Sequence, residues 1–132
     1  MKAKILELDI HNIQFVGAQQ DVKLFLENFD IFVCTSFYES GPMTLWEAMS
    51  MEKAVVTTDV GDVSKYVLSG HSGEVVKVGD IDGLVDKISV FILDEKKRSR
   101  FGINAREIVN ENLNVSICAE KHLEAYQSVI EL

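Results

Sequence analysis

The chain has 132 residues, 47% of them apolar and 26% charged, with a net charge of −8. That length and balance predict one globular domain covering residues 1–132, large enough to bury about two thirds of its unfolded surface. The acidic charge argues against nucleic acid or an anionic membrane as the main partner, yet leaves room for an anion held by backbone amides.

No apolar run approaches the length needed to span a bilayer, and no leader segment is expected. Cys34 and Cys118 lie far apart and form neither a metal nor a redox spacing. Cys34 sits in an apolar stretch and reads as a small core residue. A reducing, cytoplasmic setting is the expectation.

In chain order, Met1–Glu7 reads as the tail of a helix, with Ile5 and Leu6 able to pack. Asn12–Val16 alternates and predicts a strand, which Gly17 breaks. Asp21 is placed to cap a helix through Asn28, with Val22, Leu24, Phe25 and Leu26 on its apolar face. Ile31–Thr35 predicts a buried strand, Ser36–Gly41 a polar-aromatic loop, and Pro42–Met51 a helix. Ala54–Thr58 is β-branched and predicts another buried strand. After the loop Asp59–Asp62 comes a short helix, Val63–Leu68, with Asp62 as its cap. Ser69–Gly73 is a turn by composition, and Glu74–Val78 a fourth strand. Three helices close the chain: from Ile81 to about Leu93 capped by Asp80, Glu95–Asn110 capped by Asp94, and Val115–Ile130 capped by Asn114. Phe101, Ile103, Ile108 and Val109 are expected to face inward, as are Ile117, Leu123, Tyr126 and Ile130.

Strands alternating with helices imply an α/β fold: a Rossmann-like parallel sheet of about four strands with helices on both faces. Ligands of such sheets bind outside the carboxyl ends of the strands. Three loops there carry a glycine each: Gly17–Gln20, Ser36–Gly41 and Asp59–Asp62.

The second of these loops carries the most chemistry. Gly41 has no Cβ to hold a ligand away from the backbone. Pro42 suits the first helical position. The amides of Met43, Thr44 and Leu45 then lack intrahelical partners and favour a phosphate. Glu39 and Glu47 bracket the turn, with Glu47 one turn beyond Thr44 on the same face. A carboxylate accepts hydrogen bonds from neighbouring hydroxyls. Phosphate donors flanked by hydroxyl acceptors complement a nucleotide sugar. Trp46, Met49 and Met51 read as packing residues, Met43 likewise, and His11, His71 and His122 as surface. Lys96, Lys97, Arg98 and Arg100 read as a solvated basic face.

The run Glu39-Ser-Gly-Pro-Met-Thr-Leu-Trp-Glu47 resembles the E-x7-E signature of retaining GT-B glycosyltransferases of the group 1, or family-4, type. Phe15-Val16-Gly17, Asp30–Val33, Val55–Gly61, Gly73–Val76 and Gly79-Asp80 follow in that family's order. The resemblance implies a carboxyl-terminal donor-binding domain. It places Glu39 by the donor sugar as the catalytic candidate and Glu47 on the ribose. Backbone around Gly41–Leu45, with Ser40, Pro42, Met43 and Thr44, would contact sugar and diphosphate, and Gly17 would lie near the base. It implies transfer from a nucleotide-diphospho-sugar with retention of configuration and with no metal cofactor. The chain has no D-x-D motif, and Asp59-x-x-Asp62 reads as turn and cap chemistry.

Against the family pattern, Asp62 replaces a glycine, Lys65 a glutamate, and Thr35 and Ala54 prolines. The first two strands of a donor domain, with their cationic diphosphate contacts, are not in the chain, nor is an acceptor-binding domain. A fragment inactive by itself is therefore expected. The missing domain would lie in the same parent chain or on a partner chain and would make any peripheral membrane contact; a homodimer is the other assembly considered. The alternative function is a non-catalytic nucleotide- or partner-binding module, or the donor subunit of a two-chain enzyme.

Overall fold

The structure is a computed structural model, and it describes residues 2–130. Three parallel strands form one sheet in the order β1 (Ile31–Cys34), β2 (Ala54–Thr58), β3 (Glu74–Val76). Val33 pairs with Val56, and Thr57 with Val75. Seven helices accompany them: α1 (Lys2–Glu7), α2 (Val22–Glu27), α3 (Met43–Ser50), α4 (Val63–Tyr66), α5 (Ile81–Leu93), α6 (Glu95–Asn112) and α7 (Val115–Ile130).

β2 is the centre of the sheet, and all five of its residues are buried. The β-branched run fits that place, since both faces of the strand are covered and both edges are paired. Val55 joins Leu26, Leu45, Ala48, Met49, Val63, Val67, Ala105 and Val109 in one core. On the other side Ala54 and Val56 pack with Phe91 and Phe101, whose rings meet edge-on at 5.1 Å. Helices therefore cover both faces, as the alternation of elements predicts.

The expected strand Asn12–Val16 does not form, so the sheet has three strands where about four were expected. Residues 11–20 are all exposed. A strand needs a hydrogen-bonded neighbour, and no described strand lies beside this segment. β3 also stops at Val76, leaving Val78 exposed.

Caps are placed largely where the sequence puts them. Asp21, Asp80, Asp94 and Asn114 each accept a backbone amide, from Lys23, Gly83, Lys97 and Ile117 at 2.9–3.1 Å. Asp62 is the exception: it precedes α4 but makes no side-chain cap bond.

α6 braces the amino end of β2. Its Phe101, Ala105 and Val109 recur every fourth residue and are buried. α3 ends with Glu52 at φ 58, and the amides of Glu52 and Lys53 donate back to the carbonyls of Met49 and Ala48. This is a Schellman closure with glutamate where glycine is usual. Arg106 holds the Glu52 carboxylate at 2.9 Å, and Gly102 lies directly against the Glu52 carbonyl. Glu74, with a side chain only 4% exposed, ties β3 to α5 and α6 through Lys87 at 2.9 Å and Lys97 at 3.9 Å.

Several helix faces depart from their patterns. Ile103, Leu24 and Leu6 are exposed, and α1, which carries Leu6, has no buried residue. In α7 no residue is buried, and Leu123, Tyr126 and Ile130 face out; Tyr126 is 67% exposed. The stripe is present in sequence, but only Ile117 and Cys118 near its start are half-buried.

One substitution tests the brace. In a helix interior Gly→Ala ordinarily gains about 1 kcal/mol. At Gly102 the added Cβ would stand 1.9 Å from the backbone oxygen of Glu52. Gly102→Ala should therefore destabilise by about 2–3 kcal/mol, read as a lower urea midpoint; a stabilised variant would contradict the contact.

Candidate functional site

The loops that follow β1 and β2 leave the sheet at the same end, since the strands are parallel neighbours. They are locked together. Thr58, the last residue of β2, donates its buried hydroxyl to the Ser36 carbonyl at 2.6 Å. The Asp62 amide donates to the Ser40 carbonyl at 3.2 Å. Gly61 has φ +54, and a Cβ there would stand 2.4 Å from the carbonyl oxygens of both Glu39 and Ser40. Only glycine combines that backbone conformation with that approach.

Within the first loop the Ser36 hydroxyl donates to Glu39 Oε1 at 2.9 Å. Glu39 is half-buried, while Phe37 and Tyr38 beside it are open to solvent. Cys34 is half-buried rather than part of the core, with its sulfur 3.5 Å from Ser36 Oγ.

Pro42 is buried with ψ 96, so it forms the cap position and Met43 is the first helical residue. The helix thus starts one residue later than expected. Leu45 is not a free donor: its amide bonds the Pro42 carbonyl at 3.0 Å, as does that of Trp46 at 3.3 Å. Among the described residues the first-turn amides of Met43 and Thr44 have no hydrogen-bond partner. The tightened first turn spends the third donor on the helix itself. Met43 is exposed rather than packed. Leu45, Ala48 and Met49 are buried, so Thr44 and Glu47 stand on the opposite, exposed face. Trp46 packs edge-on against Tyr66 of α4 at 5.4 Å, as a packing role requires.

Glu47 lines a cavity of about 430 Å³ with Gln20, Asp21, Val22, Leu26 and Met51. The loop ahead of α2 and the flank of α3 therefore share one hollow. Gly17 lies outside it, in a smaller hollow with Val16, Gln19 and Phe25. Glu39 lines neither. A larger cleft of about 540 Å³, at Asn28–Ile31, Ile92 and Arg98, lies at the amino end of β1, away from these loops.

Asp62 pairs with Lys65 at 2.7 Å. The hydrogen bond that Lys65 donates to Asp62, and then the Asp62 charge, hold the Lys65 ammonium above its ordinary value. A raised lysine contributes fully below its ordinary titration range and loses that contribution as pH climbs through the raised value, so the pair is intact at neutral pH. The basic run is not simply solvated: Arg98 donates to the Phe91 carbonyl at 2.8 Å, and Lys97 lies 5.3 Å from the Phe101 ring centre. His71, His11 and His122 are exposed, with Asn104 donating to the His71 carbonyl.

Among the described residues no three His, Cys, Asp or Glu side chains gather as a metal site, and no helix is long and apolar enough to cross a membrane.

Comparison with known proteins identifies the lineage. Residues 1–108 match the family "Glycosyl transferases group 1", and the chain belongs to it. It is 30% identical, over 90% of its length, to the N,N'-diacetylbacillosaminyl-diphospho-undecaprenol alpha-1,3-N-acetylgalactosaminyltransferase of Campylobacter jejuni, covering 31% of that protein. It is 28% identical, over 98% of its length, to the lipopolysaccharide core biosynthesis mannosyltransferase LpcC of Rhizobium leguminosarum, covering 37% of it. The solved structure of Anabaena Alr3699/HepE in complex with UDP and glucose superposes on 96% of the chain with a TM-score of 0.90 at 25% identity; the chain covers 35% of that protein. The chain thus spans about a third of the length of these relatives.

The sequence places Ser36 and Gly61 in loops at the carboxyl end of the sheet but gives neither of them, nor Thr58, a role in the site. Thr58 and Ser36 lie 22 residues apart, and no local pattern links them. The exposed turn makes a direct test of the loop contact possible. Gly61→Ala places a β-carbon in the left-handed region, at a cost of about 1–2 kcal/mol, and against two carbonyls. Amide resonances from Ser36 to Gly41 should shift while those of α6 stay; unmoved loop signals would contradict the clasp.

Proposed function

We propose that the chain supplies part of the donor-binding half of a retaining glycosyltransferase. Its substrate is a nucleotide-diphospho-sugar, and the acceptor is held by a domain beyond this chain, in the parent polypeptide or on a partner. The observation that carries the reading is the turn after β1, in a chain of the group 1 family. Two unpartnered amides, of Met43 and Thr44, stand between a Glu39 carboxylate at the loop and a Glu47 carboxylate one helical turn on.

Each part has a chemical task. The Met43 and Thr44 amides, at the positive end of α3, stabilise diphosphate charge as it grows on the leaving group. Glu47 accepts the ribose hydroxyls, in the hollow it shares with Gln20 and Asp21. Glu39 accepts sugar hydroxyls through its free oxygen and fixes the anomeric carbon relative to the acceptor. Ser40, Gly41 and Pro42 bring backbone close to the sugar and phosphates, Leu45 supports the turn from the core, and Gly17 stands toward the base. The leaving diphosphate itself takes the acceptor proton on the face it departs from, which retains configuration. Positioning and electrostatics supply the rate enhancement in this scheme, and no metal is assigned a role. The bound UDP and glucose named for the Anabaena protein support a donor of this class. The chain alone is expected to bind weakly and to turn nothing over in the cytosol, since acceptor contacts lie outside it.

Titrating UDP or GDP, with and without an attached sugar, should move amide resonances centred on Gly41–Glu47. No movement at millimolar nucleotide would reject the reading. Glu47→Ala should weaken UDP by about 10-fold, the worth of a hydrogen bond to a charged group, and leave inorganic pyrophosphate unchanged. Equal loss for both ligands would contradict the ribose role.

A further inference from the structure

Glu39 is a half-buried loop carboxylate that must hold one orientation to act on a sugar. Loop carboxylates rotate freely unless something fixes them, because χ1 and χ2 each have several staggered wells. Here the fixing groups are identifiable. Ser36 Oγ donates to Glu39 Oε1 at 2.9 Å. Its own backbone is held from the next strand, with Thr58 Oγ1 donating to the Ser36 carbonyl at 2.6 Å. Thr58 is buried in β2, all of whose residues are buried. The Glu39 carbonyl meanwhile rests against Gly61.

Proton counting orders the chain of contacts. An ionised carboxylate only accepts, and a serine hydroxyl has one proton to give. Ser36 gives that proton to Glu39, so at the 3.5 Å contact Cys34 Sγ is the donor and Ser36 Oγ the acceptor. Among the described residues Ser36 is the hydrogen-bond partner of Oε1, and Oε2 is left open.

We propose that Ser36 is the positioning residue for Glu39, with Thr58 setting Ser36 in turn. The hydroxyl occupies Oε1 and aims Oε2 outward, so one carboxylate oxygen is structural and the other is presented to the donor sugar. The consequence for the donor rests on the function proposed above; the orientation of Glu39 does not.

The first test needs no ligand. Three-bond couplings of Glu39 in the 132-residue chain should report a single χ1 rotamer in the wild type. Ser36→Ala should average it, and Ser36→Thr, which keeps the hydroxyl, should restore it. Thr58→Val, close in shape, should average it in the same direction if the relay runs through the Ser36 carbonyl. Unchanged Glu39 couplings in Ser36→Ala, with the fold intact by amide dispersion, would overturn the proposal. In a second arm, Ser36→Ala should lower affinity for UDP-glucose about 10-fold relative to UDP, with Ser36→Thr near wild type. Equal losses for the two would overturn the sugar-facing role of Oε2. A wild type that binds neither nucleotide would count against the donor-binding reading, while the couplings would still decide Ser36.

Discussion

A single buried hydroxyl organises the end of the molecule where β1 and β2 give way to their loops. Thr58 ends a strand that is covered on both faces, where an unsatisfied polar group would be costly. It finds its acceptor in the Ser36 carbonyl of the neighbouring loop. That bond, the Asp62 amide on Ser40, and the approach of Gly61 to Glu39 and Ser40 make one body of two loops. The carboxylate Glu39 and the start of α3 are placed by this junction. Parallel pairing of β1 and β2 is what allows it, since both chains emerge at the same edge of the sheet.

The opposite end is held by different means. α6 passes beneath the α3–β2 turn, with Gly102 against the Glu52 carbonyl and Arg106 on the Glu52 carboxylate. The left-handed Glu52 residue would be strained in isolation, and these contacts hold it. Phe91 and Phe101 fill the space between α5, α6 and β2. The result is a rigid core with an uneven rim. At the turn the inner wall of Leu45, Ala48 and Met49 is buried, while Phe37, Tyr38, Met43 and Glu47 stand open. The donor site proposed at the turn would be reached from that open side.

Elements whose partners are close in sequence were legible from it. β1, α3 and β2 follow from the apolar run at Ile31, the proline at 42 and the β-branched run at Ala54, but β1, expected to be buried, lies at the edge of the sheet with no buried residue and Val33 exposed. Four of the five expected aspartate and asparagine caps act as caps, because the interaction spans only two or three residues. Asp62 differs because Lys65, one turn on, competes for its carboxylate. The failures share a cause. Asn12–Val16 has the alternation of a strand and no neighbour to pair with. Leu123, Tyr126 and Ile130 form a helical stripe with nothing packed on it. Periodicity reports that a segment is able to pair or pack; a partner must be present for it to do so.

The amino-acid sequence by itself determined the α/β class, the central strand, the helix that carries Glu47, and the E-x7-E spacing that marks the family. Those properties reside in local steric preference and in the order of residues along one turn. The folded structure decided that Gly61 rests against the Glu39 and Ser40 carbonyls. It decided that Glu47 shares a hollow with Gln20 while Gly17 does not, and that the backbone of Ser36 is held by Thr58. These outcomes depend on contacts between segments distant in sequence, such as Thr58 on Ser36 and Gly61 on Glu39. A hydrogen bond or a close approach of that kind leaves no periodic trace in the chain that makes it.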